Sequence, residues 1–113
     1  MEVIRHHIYE FQKGIRNLFL HTCNIKCKEP AEILLKRYNI SYTIYHVSDT
    51  KINIFFGSST CVEVIKCFGK SRLNKYSNEE DFILGIMLGY DRKAQCKRYL
   101  QRSKPKKTLC LTA

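Results

Sequence analysis

Apolar residues near the start of the chain, Ile4, Ile8, Phe11 and Ile15, recur at helical spacing. The pattern predicts a short helix that stops near Gly14. From Ile15 to Thr22 the sequence Ile-Arg-Asn-Leu-Phe-Leu-His-Thr has the length and β-formers of a strand. Pro30 suits the first turn of a second helix, with Ile33, Leu34 and Tyr38 as its apolar stripe and Asn39 as its stop. Residues 40–47, Ile-Ser-Tyr-Thr-Ile-Tyr-His-Val, alternate and are rich in β-branched and aromatic side chains, the strongest strand signal in the chain. Ser48-Asp49-Thr50 turns the chain into Lys51–Phe56, so residues 40–56 read as a hairpin. The run Ile-Asn-Ile-Phe-Phe is the most apolar, which places that strand in the centre of its sheet.

Gly57 ends the hairpin, and Ser58, Ser59 and Thr60 offer caps for a helix carrying Val62, Ile65 and Phe68, closed by Gly69. Lys70 to Tyr76 is a basic connecting loop. Ser77 or Asn78 then caps a last helix, expected to run unbroken to about Gln101. Its first turn holds Glu79, Glu80 and Asp81, the sign that the helix dipole favours. Phe82 to Tyr90 is apolar all round and must be covered on more than one side. The half that follows is basic around much of its circumference and is expected to protrude into solvent. The predicted class is α+β: a small three-stranded mixed sheet packed by several helices as one layer pair, ending in a long C-terminal helix. The order strand, helix, hairpin resembles a truncated split βαβ unit. Residues 1–102 read as one domain and 103–113 as a basic, frayed tail.

Composition narrows the class. Of the 113 residues, 44% are hydrophobic and 27% charged, which is globular usage and excludes disorder. No run is long enough to span a membrane, and the start lacks the apolar core of a signal peptide, so a cytoplasmic protein is expected. The six cysteines, Cys23, Cys27, Cys61, Cys67, Cys96 and Cys110, keep no framework spacing, and six reduced thiols are expected. His21, Cys23 and Cys27 form one loose cluster without the second pair that a structural zinc site shows. Neither a metal nor another cofactor is expected. Cys110-Leu-Thr-Ala113 fits a prenylation box only superficially, since Thr112 stands where an aliphatic is usual.

No carboxylate pair, Ser-His-Asp order or nucleophile elbow is readable, and the chain reads as non-enzymatic. An enzyme would have to assemble its site from distant residues such as His7, His21 and Cys61. The adjacent His6 and His7 show no partner in sequence, and Gly57-Ser-Ser-Thr60 lacks the glycine pattern of a phosphate loop, so capping explains it. Gly85-Ile-Met-Leu-Gly89 is a small-x3-small step that lets a neighbouring backbone come close. With the all-round apolar segment it predicts a homodimer through Phe82, Gly85, Ile86, Gly89 and Tyr90.

The formal charge is +10 and is unevenly spread. Eight of the 20 basic residues fall between Arg92 and Lys107, where there is no acid; the other 12 are set against all 10 acids. Arg92, Lys93, Lys97, Arg98 and Arg102 are therefore the expected partner-binding residues. The partner expected is an acidic protein, steered in by this field. A nucleic acid is the alternative, weakened because only Tyr99 interleaves an aromatic with the basic run.

The segments Arg5-His-His-Ile-Tyr-Glu-Phe, Arg16-Asn-Leu, Cys61-Val-Glu-Val and, above all, Glu80-Asp-Phe-Ile-Leu-Gly-Ile-Met-Leu-Gly-Tyr-Asp-Arg92 carry a resemblance. Over residues 1 to about 102 the chain resembles a bacterial family known as domain of unknown function number twenty twenty-three. The resemblance implies a three-stranded, multi-helix fold, a homodimer and the company of flavodoxins. It implies no activity and no catalytic residues.

Overall fold

Side chains alternate across a strand, so a strand that is apolar at every position needs cover on both faces. In the computed structural model, which describes residues 2–103, the strands are β1 (Leu18–Asn24), β2 (Ser41–His46) and β3 (Lys51–Gly57). β3 is central, in the order β1-β3-β2, as its composition predicts, and Ile52 through Phe56 are all buried. Both pairings are antiparallel, Leu18 opposite Gly57 on one side and Ser41 opposite Gly57 on the other. The expected mixed sheet is thus antiparallel at both seams. β1 and β2 run parallel to each other with β3 between them, which is the split arrangement foreseen. The buried polar residue of the sheet, Asn53, accepts a hydrogen bond from Thr22 on β1.

Five helices among the described residues cover the sheet: α1 (Glu2–Gln12), α2 (Lys28–Arg37), α3 (Ser59–Phe68), α4 (Asn78–Met87) and α5 (Arg92–Arg102). On one face Ile4 and Ile8 of α1 and Ala31, Leu34 and Leu35 of α2 pack on Phe19, Ile52, Ile54 and Phe56. On the other, Val62 and Ile65 of α3 and Leu84 of α4 pack on Leu18 and Phe55. Helices therefore lie on both faces. The result is three layers rather than one layer pair, because β3 offers the core large apolar side chains in both directions.

Helix ends account for the remaining differences. At the end of α1, Gly14 N–H bonds Phe11 O and Ile15 N–H bonds Glu10 O, both at 3.0 Å. Ile15 is thereby used in a Schellman closure, and the strand expected from Ile15 starts at Leu18. Asn39 closes α2 in the same way at a φ of 58°, a conformation asparagine tolerates.

The expected unbroken last helix is two. Gly89 has a φ of 84°, its N–H bonds Ile86 O at 3.0 Å, and Tyr90 N–H bonds Gly85 O at 3.1 Å. Asp91 then caps a new helix, its carboxylate accepting from Ala94 N–H at 2.8 Å. A Schellman stop followed at once by an N-cap folds α5 back against α4. The C-terminal helix is accordingly 11 residues long, a modest length, and it lies along its neighbour instead of protruding. The basic tail expected from 103 onward lies, from 104, outside the described residues. Among the described residues no helix is long and apolar enough to cross a membrane.

Candidate interaction groove on the α4–α5 hairpin

α4 begins with a capping box. Ser77 Oγ accepts from Glu80 N–H at 3.1 Å, while the Glu80 carboxylate accepts from Ser77 N–H at 2.8 Å. Lys70 adds a contact of 2.6 Å to the same carboxylate, and that bond, ahead of the cap, holds the Glu80 carboxyl below its ordinary value. The next residue, Asp81, ties the two helices together. Arg98 reaches it with Nε at 2.8 Å and a terminal nitrogen at 3.1 Å, and Arg102 reaches it at 3.1 Å. The Arg98 hydrogen bond depresses the Asp81 carboxyl, and Asp81 in turn raises Arg98. Tyr99 donates to Glu79 at 2.9 Å, which raises its hydroxyl, and its ring lies 5.6 Å from that of Phe82.

Between these ties the hairpin leaves an open, mainly aliphatic and aromatic groove of about 520 Å³, lined by Glu79, Phe82, Ile83, Cys96, Tyr99 and Leu100. Ile83 is 41% and Leu100 52% exposed. α5 has no buried residue at all, so its outer face is free to meet another molecule.

The five cations expected to bind a partner divide into two groups. Arg98 and Arg102 converge on Asp81, whose single negative charge offsets one of their two positive charges. Arg92, Lys93 and Lys97 are exposed and make no ion pair among the described residues. Arg92 precedes Cys96 and Tyr99 by four and seven positions, and Lys93 precedes Cys96 and Leu100 by three and seven. Both therefore extend the face of α5 that borders the groove, and Lys97 flanks it one turn before Leu100.

The residues expected at a subunit interface also scatter. A Cβ on Gly85 would run into the side chain of Gln95, so this glycine admits α5 of the same chain. Gly89 serves the helix stop, and Phe82 is half-buried against Tyr99. Ile86 is half-buried, whereas Tyr90 is 55% exposed. Sequence reasoning missed Ile83, Cys96 and Leu100, because a single straight helix never brings residue 83 beside residue 100. The overlooked signal was Leu88-Gly89-Tyr90-Asp91: a glycine fit for a helix stop, then an acid fit for a cap.

The distant residues considered for catalysis do not all meet: His7 and His21 do, and Cys61 lies apart from them. The rings of His7 and His21 lie 6.5 Å apart on the α1 side of the sheet. Cys61 packs in the cluster on the opposite side. His7 stacks on Phe19 at 5.0 Å, and its buried Nδ1 has no hydrogen-bond partner among the described residues. Burial first, and then the Arg16 guanidinium, keeps His7 below the ordinary histidine value; burial does the same for His21. The unfolded chain takes up these protons first as pH falls, so the folded state loses stability below about pH 6.5. Urea midpoints at about pH 7.5 and 5.5 should show this loss. The loss should shrink in a His7→Phe, His21→Phe variant, and an equal loss in that variant removes the two rings as its source.

No match to the chain is found among the curated proteins. Residues 2–102, from the start of α1 to the end of α5, match the model of the family described as "Protein of unknown function (DUF2023)". The chain belongs to that family.

Proposed function

We propose that this chain is a non-catalytic binding module whose α4–α5 groove receives an acidic protein surface. The observation that carries the reading is the apolar groove flanked by three exposed cations, Arg92, Lys93 and Lys97, that make no ion pair among the described residues. Apolar burial supplies the affinity of such a contact, and the field of the cations supplies orientation and association rate. A flavodoxin-like electron carrier is the candidate partner, since carriers of that kind are typically acidic. A reducing cytoplasm is the setting that suits the free, partly exposed thiols among the described residues.

A second copy of the chain is the other reading, favoured by the exposure of Ile83 and Leu100 at the groove. Charge argues against it. Pairing two such faces brings two sets of Arg92, Lys93 and Lys97 together in a protein that already carries +10. A nucleic acid fits less well, because the groove offers aliphatic walls and one tyrosine ring already packed on Phe82.

The test is capture from native extract with and without nuclease, followed by calorimetric titration of an FMN-loaded flavodoxin-like carrier and light scattering of the free chain. Binding of the carrier that is lost in the Arg92→Glu, Lys93→Glu, Lys97→Glu variant supports the proposal. Recovery of nuclease-sensitive material alone transfers the site to nucleic acid. A free chain of twice the monomer mass that halves in Ile83→Asp transfers the groove to a second copy.

A further inference from the structure

α1 and α2 share one cluster on the sheet, Ile4 and Ile8 from the first helix and Ala31, Leu34 and Leu35 from the second. Turning those stripes inward leaves Arg5 of α1 and Pro30, Ile33 and Arg37 of α2 exposed. Pro30, Ile33 and Arg37 follow one another at three and four positions, so one side of α2 carries all three. With the buried Leu34 they meet Arg5 around a cleft of about 260 Å³. Leu34, Ile33 and Pro30 give it an apolar surface, and each helix adds one guanidinium.

Neither Arg5 nor Arg37 forms an ion pair among the described residues. The acids on the same helices do not supply one. Glu32 accepts from the Tyr42 hydroxyl at 2.9 Å, and Glu10 is engaged by Arg16 at 3.6 Å. Glu2 and Glu29, in the first turns of their helices, form no ion pair among the described residues either. Two like charges facing one cleft repel each other, and an anion between them turns that repulsion into two attractions.

We propose that this cleft binds a small organic anion, a carboxylate or phosphate monoester carried on a short apolar chain. The planar donor fork of arginine matches either head group. The chain lies on Leu34, Ile33 and Pro30, where removing apolar surface from water adds affinity. Pockets for drug-sized ligands run to about 300–1,000 Å³, so this one suits a shorter molecule. The site is separate from the α4–α5 groove, whose helix α4 packs on the opposite face of the sheet, and each stands or falls without the other.

The experiment titrates the isotope-labelled full chain, read by amide NMR, with hexanoate, hexyl phosphate, hexanol and inorganic phosphate in turn, and then with phosphatidylserine vesicles. Both hexyl anions should shift the signals of Arg5, Ile33, Leu34 and Arg37 saturably. They should bind about ten-fold more tightly than hexanol or inorganic phosphate, each of which keeps only half of the recognition. The Arg5→Gln, Arg37→Gln variant should lose about ten-fold in affinity for the hexyl anions at an unchanged melting temperature. Hexanol that binds as well as hexanoate, or anion affinity that survives in the double variant, overturns the proposal. Inorganic phosphate that matches hexyl phosphate overturns the apolar half of it, and shifts confined to α4 and α5 move the anion to the other groove. Binding to the vesicles without a response to either free hexyl anion replaces the small ligand with a membrane surface.

Discussion

Phe56→Ala is expected to destabilise the protein by about 3–5 kcal/mol, the range for emptying a large aromatic site in a core. Phe56 lies in the central strand, is fully buried, and stacks on Phe19 with ring centres 5.3 Å apart and planes 14° from parallel. β1 and β2 bound it on either side and the helices α1 and α2 roof it, so the vacated space has few walls that can collapse. Domains of this size are stable by roughly 5–15 kcal/mol, so the change removes a large share of the total. The melting temperature should fall by roughly 12–40 °C, at about 4–8 °C per kcal/mol, read by far-ultraviolet circular dichroism. Phe55→Ala, in the opposite cluster, should cost a similar amount. Phe68→Ala, at a half-buried site, should cost clearly less. A Phe56→Ala loss below about 2 kcal/mol would mean that the layer above the sheet relaxes into the gap.

The Arg92→Glu, Lys93→Glu, Lys97→Glu variant should weaken binding of an acidic protein on the order of 100-fold. Exposed ion pairs are worth about 0.2–1 kcal/mol each, and reversal replaces each attraction with a repulsion of like size. Three such reversals come to roughly 3 kcal/mol, a little over two decades in Kd. Most of the change should lie in the association rate and should fade as salt is raised. Folding should be untouched, since none of the three makes an ion pair among the described residues. Arg98→Glu gives the contrast, because it sets a carboxylate against Asp81 and loosens the hairpin itself. Its loss of binding should come with a lower melting temperature, whereas that of the triple variant should not. A triple variant that binds as the unaltered chain does removes these cations from the interface.

The sheet was legible in the sequence because period-two alternation at residues 40–47 and the apolar run at 52–56 are local signals that tertiary packing reinforced. The short helices were legible too, since Gly14, Asn39 and Gly69 stand at their ends. The α4–α5 hairpin was not. Phe82 to Tyr90 and the stretch beyond keep helical spacing, and a period does not report that the axis reverses between them. Only the chemistry of Gly89 and Asp91 marks the break, and glycine inside an apolar helical run also reads as a packing surface. Charge misled in a related way. A basic run without an acid in sequence is not a run without an acid in space, and Asp81 meets Arg98 from 17 positions earlier. The groove combines both omissions, since it exists only where two helices meet, and the cations beside it are those that Asp81 does not reach.

β3 is the middle strand in space but the last of the three to be made. Its turn with β2 closes over a few residues, whereas Leu18 must find Gly57 across the intervening helix and hairpin. Closing the longer loop costs more chain entropy before any contact rewards it. The β2–β3 pair, roofed by α2, is therefore the natural folding nucleus, with β1 and α1 docking after the barrier. Substitutions in the Ser48–Thr50 turn should slow refolding, and substitutions in β1 should chiefly hasten unfolding, which the two arms of a denaturant chevron separate. A chain still emerging from the ribosome cannot assemble any part of this sheet until residue 51 and its successors are clear. Until then β1 and β2, parallel to each other and each made to pair only with β3, wait with both of their edges open.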